Sequence, residues 1–384
     1  MDYPNKINSK LPNVGTTIFT VMSKLAADHN AINLSQGFPD FDCDPTLIDL
    51  VGKHMNEGKN QYAPMAGLMG LRECIAQKTK DLYSAGYDPE TEITITAGAT
   101  QALYTAIAAI IKEGDEVIVF DPAYDSYQPA IEVHGGKTVH VKLEYPAYSI
   151  NWENVKNAVT GKTKMIIINT PHNPTGAIMS VDDMNKLETL TRGTDIVIVS
   201  DEVYEHIIFD GKQHQSVARF PRLVERSFII SSFGKTFHAT GWKMGYCVAP
   251  QNLMTEFRKV HQFLVFCVNA PLQYALADFL KNKDHYLELG NFYQKKRDLF
   301  IECIKGSNFE YQPSAGTYFQ LLHYTKISNE KDTDFAVRLI KEFGVASIPV
   351  SVFYNTKEDN KVVRFCFAKK EETIEKAAAI IRKI

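Results

Sequence analysis

Between residues 92 and 233 the chain runs repeatedly into short stretches dominated by Val and Ile: "EITITAG", "DEVIVFDP", "GGKTVHVKL", "TKMIIINTP", "TDIVIVSDE" and "RSFIISSF". A strand with one wet face alternates apolar and polar residues, whereas a strand covered on both faces does not have to, and most of these runs are continuous. Helical spacing lies between several of them, as in "ATQALYTAIAAIIKEG", which Gly114 is expected to close, and "SVDDMNKLETLTRG". Strands hidden on both faces and separated by helices predict an α/β domain with a mostly parallel central sheet.

The pattern begins at about residue 46 and changes at about residue 286, where one long amphipathic helix, "YLELGNFYQKKRDLFIECIKG", precedes "SAGTYFQLLHY", "VASIPVSVF", "KVVRFCFA" and a terminal helix. That predicts a smaller α+β domain over 286–384, after a large α/β domain over 46–285. Residues 1–45, rich in Pro, Asn and Gly, are read as an extended arm that packs with the small domain. Two domains suit 384 residues.

Composition narrows the partners. Lys+Arg 42 against Asp+Glu 45 leaves a net charge of −3, which argues against nucleic acid or an anionic membrane. No stretch approaches the roughly 18 apolar residues of a membrane span. "MDYPNKINSKLPNVG" has no apolar signal region, so a cytoplasmic protein is expected. The six cysteines form no CxxC pair and are expected to be reduced core residues, with no metal site.

Ligands of open α/β sheets sit at the carboxyl ends of the strands, so the residues just after each strand carry the chemistry. After "EITIT" come Gly98, Ala99 and Thr100 at a helix start, where free N–H groups favour an anion such as a phosphate, although an ordinary strand–helix turn reads the same way. No GxGxxG or GxxxxGK[ST] occurs, which argues against a nucleotide. After "KMIIINT" comes "PHNPTG", a turn signal that aims the Asn173 amide at the crevice. His172 has no companion at metal-ligand spacing. After "DIVIVS" comes Asp201, either a helix cap or a carboxylate facing a cationic ring nitrogen, followed by Tyr204. After "SFII" comes "SSFGKTFHATGWKMGY", in which Lys235 is either a loop lysine or a desolvated amine able to attack a carbonyl. A phosphate cradle, a carboxylate, an amide, a phenol and a lysine are together the inventory that pyridoxal phosphate requires.

With those motifs in order, the chain resembles the class I/II pyridoxal-phosphate aminotransferases of fold type I, over nearly its full length. It most resembles their methionine/kynurenine branch. "NLSQGFPDF", "NQYAPMAGLMGLR", "TAGATQAL", "NTPHNPTG", "SDEVYEH", "SSFGKTFHATGWKMGY" and "RFCFAKK" carry the likeness. The resemblance implies that Lys235 binds the cofactor aldehyde and Asp201 pairs with the ring nitrogen. It implies that Asn173 and Tyr204 donate to the ring oxygen, with Tyr124 stacked on the ring and Asn169 supporting it. Gly98, Ala99, Thr100, Ser232 and Lys243 are then expected at the phosphate. Tyr62 is expected to reach the phosphate of the other subunit, which implies a homodimer. Gly37, Asn173 and Arg364 are expected to bind the substrate carboxylate, and Phe19 to line the side-chain pocket. The wider superfamily usually has arginine where this chain has Lys243; the kynurenine-type branch has lysine.

The implied activity is transfer of the amino group of methionine or of an aromatic or kynurenine-like amino acid to a 2-oxo acid by a ping-pong cycle. A carbon–sulfur β-lyase on the same fold shares the lysine, aspartate and arginine. A pyridoxal-phosphate-binding transcription regulator would need an added DNA-binding domain, for which the arm has neither the length nor a basic helix-turn-helix pattern.

Overall fold

The computed structural model describes residues 7–384; the first six residues of the expected arm lie outside it. The strands, in chain order, are β1 (Ile32–Asn33), β2 (Ile93–Thr96), β3 (Glu116–Asp121), β4 (Lys137–Lys142), β5 (Thr163–Asn169), β6 (Val197–Asp201), β7 (Ser227–Ser232), β8 (Gly245–Val248), β9 (Phe319–His323), β10 (Val345–Ala346), β11 (Ile348–Pro349) and β12 (Val362–Cys366). Seven form one sheet in the order β2-β8-β7-β6-β5-β3-β4. Within it β7, β6, β5, β3 and β4 run parallel, and β8 is antiparallel to both of its neighbours.

The unbroken apolar runs have a direct structural cause. Ile118, Ile166 and Ile198 face one buried cluster, while Val117, Ile167 and Val199, their neighbours in sequence, face another on the opposite side of the sheet. Each such side chain removed from water contributes about 1.5–3 kcal/mol, so neither face tolerates a polar alternation.

A second, three-stranded sheet has the order β11-β12-β9 and is antiparallel throughout. Its core joins Phe365 and Leu322 to Phe300, Phe335 and Ile374 from the flanking helices. Tyr204, Ile207 and Phe209 of the large sheet's loops enter the same cluster, so the two sheets share an apolar seam.

Four expectations need correction. The arm is not simply extended: Ile18–Asp28 is a helix capped by the Thr17 side chain, and it buries Met22 and Ala26 against the second core. Its Pro, Asn and Gly residues flank this amphipathic stretch, which the composition of the whole segment masks. The helix over Gly98–Ile110 stops before Gly114, which turns the chain with φ +85° four residues later. The long helix after residue 284 is two pieces, Asp284–Leu287 and Leu289–Ile304, meeting at Glu288. All six cysteines are unpaired, but only Cys247 and Cys366 are fully buried.

Candidate active site

Register brings the strand ends into one row. Asn169 pairs with Asp201 across β5/β6, and Gly245 lies opposite both Thr96 and Ser232. A cavity of about 260 Å³ opens over this row. Phe19, Gly37, Gly98, Ala99, Thr100, Tyr124, Asn169, Asn173, Asp201, Tyr204, Ser232, Lys235, Lys243 and Arg364 all line it, so fourteen of the fifteen expected site residues converge. Tyr62 does not. It is 82% exposed, with its ring edge-on to Phe266 at 5.3 Å.

Lys235 sits in a one-turn helix, Phe233–Thr236, directly after β7. Its amine donates to the Gly37 carbonyl at 3.0 Å and to the Tyr318 hydroxyl at 2.9 Å. Burial disfavours the ammonium and lowers its pKa from 10.5 to about 8. About half of such amines are neutral at pH 8, against well under one per cent for an ordinary lysine.

Asp201 ends β6, and no helix follows it, so it is not a helix cap. Its carboxylate accepts from the Tyr127 hydroxyl at 2.6 Å and from the Val203 N–H at 3.3 Å. No cation pairs with it among the described residues. Burial pushes its pKa up to about 6 in spite of these two donors. Asn169 fixes the neighbouring loop. Its amide donates to the Asp201 carbonyl at 2.9 Å and its oxygen accepts from the Asn173 N–H at 2.8 Å.

Arg364 is 1% exposed and is the largest fully buried side chain among the described residues. One terminal nitrogen donates to Asn173 Oδ1 at 2.7 Å and the other to the Ser35 carbonyl at 3.0 Å. The Phe319 ring lies 3.8 Å from the guanidinium carbon, with Phe19 at 5.3 Å and Phe353 at 5.8 Å. Its Nε has no partner among the described residues. Burial also lowers its proton affinity. This is a desolvated cation held ready for an anion.

The remaining parts form a cradle. The helix Gly98–Ile110 starts at the cavity, and its first N–H groups have no acceptor within the helix. Gly98 has φ +77°, and a Cβ there would lie 3.5 Å from the Lys243 amine, so the lysine reaches over the helix start. Lys243 itself adopts the left-handed region, φ 53°. A Cβ on Gly37 would meet Phe319 at 2.8 Å. Phosphate-sized anions fit free helix N–H groups beside a lysine. A ring cation fits the unpaired Asp201, and an aldehyde fits the desolvated Lys235; these residues therefore match the donor set of pyridoxal phosphate.

Three functional neighbours escape the sequence reading. Tyr127 bonds Asp201, and Tyr318 and Phe319 contact Lys235 and Arg364. Their signals are present, in the second tyrosine of "DPAYDSY" and in "GTYF", but the two hydrogen bonds span 74 and 83 positions, and the Phe319–Arg364 contact also joins separate elements.

The fold and this site define a class, and comparison with known proteins agrees: residues 29–381 match the family Aminotransferase class I and II, and the chain belongs to it. It is an aminotransferase. It is 49% identical to the methionine aminotransferase of Escherichia coli (strain K12), over 98% of both chains. It is 33% identical to the kynurenine–oxoglutarate transaminase of Dictyostelium discoideum, over 98% of this chain and 96% of that one. The crystal structure of YbdL from Escherichia coli, for which a methionine aminotransferase function was identified, superposes with a TM-score of 0.98 at 49% identity, covering 99% of this chain and all of that one. The family is generally pyridoxal-phosphate-dependent.

Proposed function

We propose that this aminotransferase holds pyridoxal phosphate in the cavity above the strand ends and moves the amino group of methionine, or of aromatic and kynurenine-like amino acids, to a 2-oxo acid in a ping-pong cycle. The observation that supports this most is the pairing of a desolvated amine, Lys235, with a buried carboxylate lacking a cation, Asp201, in one cavity. When bound, the cofactor supplies an aldehyde that exchanges amines and an electron-poor ring that draws electrons from the substrate Cα.

This chain's residues do the rest. Lys235 holds the cofactor through its amine and, when released, takes and returns the proton at the substrate Cα as general base and acid. Asp201 keeps the ring nitrogen protonated, and Tyr127 holds the carboxylate in place. Tyr204 and the Asn173 amide nitrogen donate to the ring oxygen, while Tyr124 covers the ring and Asn169 supports the loop. Gly98, Ala99, Thr100, Ser232 and Lys243 hold the phosphate. Arg364 binds the substrate carboxylate with the Gly37 backbone and Asn173, and Phe19 lines the side-chain pocket. In this reading the arm (1–45), the large domain (46–285) and the small domain (286–384) all contribute to one site in a cytoplasmic enzyme.

The side-chain preference follows from the cations available. Those lining the cavity are Lys235, Lys243 and Arg364, and each already has a role. A second substrate carboxylate would lose its water without gaining a partner, at a cost of several kcal/mol. A missing or extra methylene changes binding by only roughly 1–3 kcal/mol. With one fixed acceptor, kcat/KM for aspartate is expected to fall at least 10³-fold below that for methionine, and leucine to fall within about 10–100-fold of it. Aspartate matching methionine would refute the pocket assignment.

The working unit is proposed to be a homodimer. Tyr62, Phe263 and Phe266 are exposed by 82%, 87% and 50% in the single chain, and Tyr62 packs against Phe266. Apolar exposure of this kind favours a protein partner. Sedimentation is expected to give a dimer, and Tyr62→Ala to weaken cofactor retention; a fully active monomer would exclude both.

A further inference from the structure

Tyr318 has no role in the chemistry described so far, yet it is fully buried against the Lys235 amine. Its hydroxyl donates to the Gly37 carbonyl. It therefore accepts from Lys235, and the lysine donates to the same Gly37 carbonyl. The ring is fixed by edge-on packing against Tyr204 at 5.1 Å and Phe319 at 5.0 Å. Lysine, phenol and carbonyl thus close a three-membered hydrogen-bonded set on the Gly37 side of the cavity.

The set belongs to a wider pattern. The carbonyls of Ser35, Gly37 and Phe38 each accept from a different cationic side chain: Arg364, Lys235 and Lys369. The segment that presents the Gly37 backbone to the substrate is held by three cations, of which only Lys235 must leave during the cycle.

We propose that Tyr318 is a positioning residue: together with the Gly37 carbonyl it forms the dock that receives the Lys235 amine whenever that amine is released, and so fixes where the proton-transferring group stands beside the substrate Cα. This rests on the reading of Lys235 as the cofactor-binding lysine. A flexible four-carbon side chain with no dock would spread over several rotamers, and proton transfer requires a donor–acceptor distance near 3 Å. A phenol suits the task because burial raises the Tyr318 pKa well above its usual range, so it remains a neutral acceptor that cannot compete for the proton. The other charged groups acting on the lysine are Arg364 and Lys243, which disfavour its charge, and Asp201, which favours it; the buried Cys366 thiol, its pKa raised by burial, carries no charge there.

The test is Tyr318→Phe, which keeps the ring. In the full chain stripped of cofactor, Lys235 is titrated by pulse labelling with acetic anhydride and peptide mass spectrometry. Loss of a hydrogen bond that the ammonium donates makes the charged form less stable, so the labelling midpoint is expected to fall by about one pH unit. In the loaded enzyme kcat for methionine is expected to fall about 10–100-fold. KM should stay within about threefold and the α-deuterium isotope effect should rise, because proton transfer becomes slower relative to the other steps. An unchanged midpoint, or an unchanged isotope effect, overturns the proposal. If Tyr318→Phe does not fold, 3-fluorotyrosine at position 318 weakens the oxygen as an acceptor without changing shape, and the same downward shift is required of it. Failure of the underlying reading is seen separately, as failure of borohydride to fix the cofactor on Lys235 of the unaltered protein, and the titration of the stripped chain remains valid in that case.

Discussion

Lys235→Ala will lower turnover on the order of 10⁵-fold or more, because one side chain supplies both the covalent attachment of the cofactor and the proton shuttle. The same exchange removes a desolvated amine from the core. The native state holds this amine at a pKa of about 8, below its ordinary 10.5, so the unfolded chain binds the extra proton between those values. In the unaltered protein stripped of cofactor, where this amine is free, stability therefore rises with pH from about 8 to 10.5, and is lowered by this group below that window. The alanine variant should melt with less pH dependence there. Borohydride reduction followed by peptide mapping should label Lys235 in the unaltered protein and nothing in the variant; a label on Lys243 would reverse the two lysines' roles.

Asp201→Asn has two effects of opposite sign. Turnover should drop roughly 10²–10³-fold with cofactor still bound, since a ring nitrogen without a facing carboxylate is a weaker electron sink. The cofactor-free protein should gain stability at neutral pH. The Asp201 pKa is raised, from an ordinary 3.8 to about 6, so the native state prefers the protonated carboxyl. Its contribution is favourable below about pH 3.8 and is lost as pH rises through about 6. Above that, an uncharged amide avoids a penalty of up to about 3 kcal/mol, and the Tyr127 hydroxyl can turn to accept from it. Melting temperatures of the two stripped proteins should coincide near pH 4 and favour the variant at pH 7.5. Equal stabilities at pH 7.5, or near-normal turnover, would mean that Asp201 is neither buried alone nor facing a ring nitrogen.

What the chain discloses before folding, and what it withholds, divides along physical lines. β5, β6 and β7 are legible because each is hidden on both faces and has no polar alternation. Asn169, Asp201 and Lys235 are legible in turn because a polar group just after such a strand needs a reason. β8 escapes because four residues, Gly245–Val248, carry too little pattern, and its antiparallel direction is set by its neighbours. The helix Ile18–Asp28 escapes because the Met22 and Ala26 stripe acquires meaning only against a core built mostly from residues 289 onward, with Tyr204, Ile207 and Phe209. Tyr127, Tyr318 and Phe319 escape for the same reason: an aromatic residue in a motif reads as core until its hydroxyl or ring is seen to face a charge. Tyr62 is the reverse case, conspicuous in "NQYAPMAG" and remote from the cavity of its own chain.

The guanidinium of Arg364 is held by Asn173, 191 positions away, and by Ser35, 329 positions away. Contacts over such separations close long loops in the chain, and the entropy of closure must be met before they yield anything. The cradle at the helix Gly98–Ile110 and Lys243 is assembled over a shorter span. A refolding chain should therefore regain affinity for a phosphate-bearing ligand earlier than affinity for an amino-acid carboxylate. An unreactive carboxylate analogue, by bridging both ends of the chain, should slow release of the amino-terminal helix in hydrogen exchange, whereas inorganic phosphate should leave that helix unchanged.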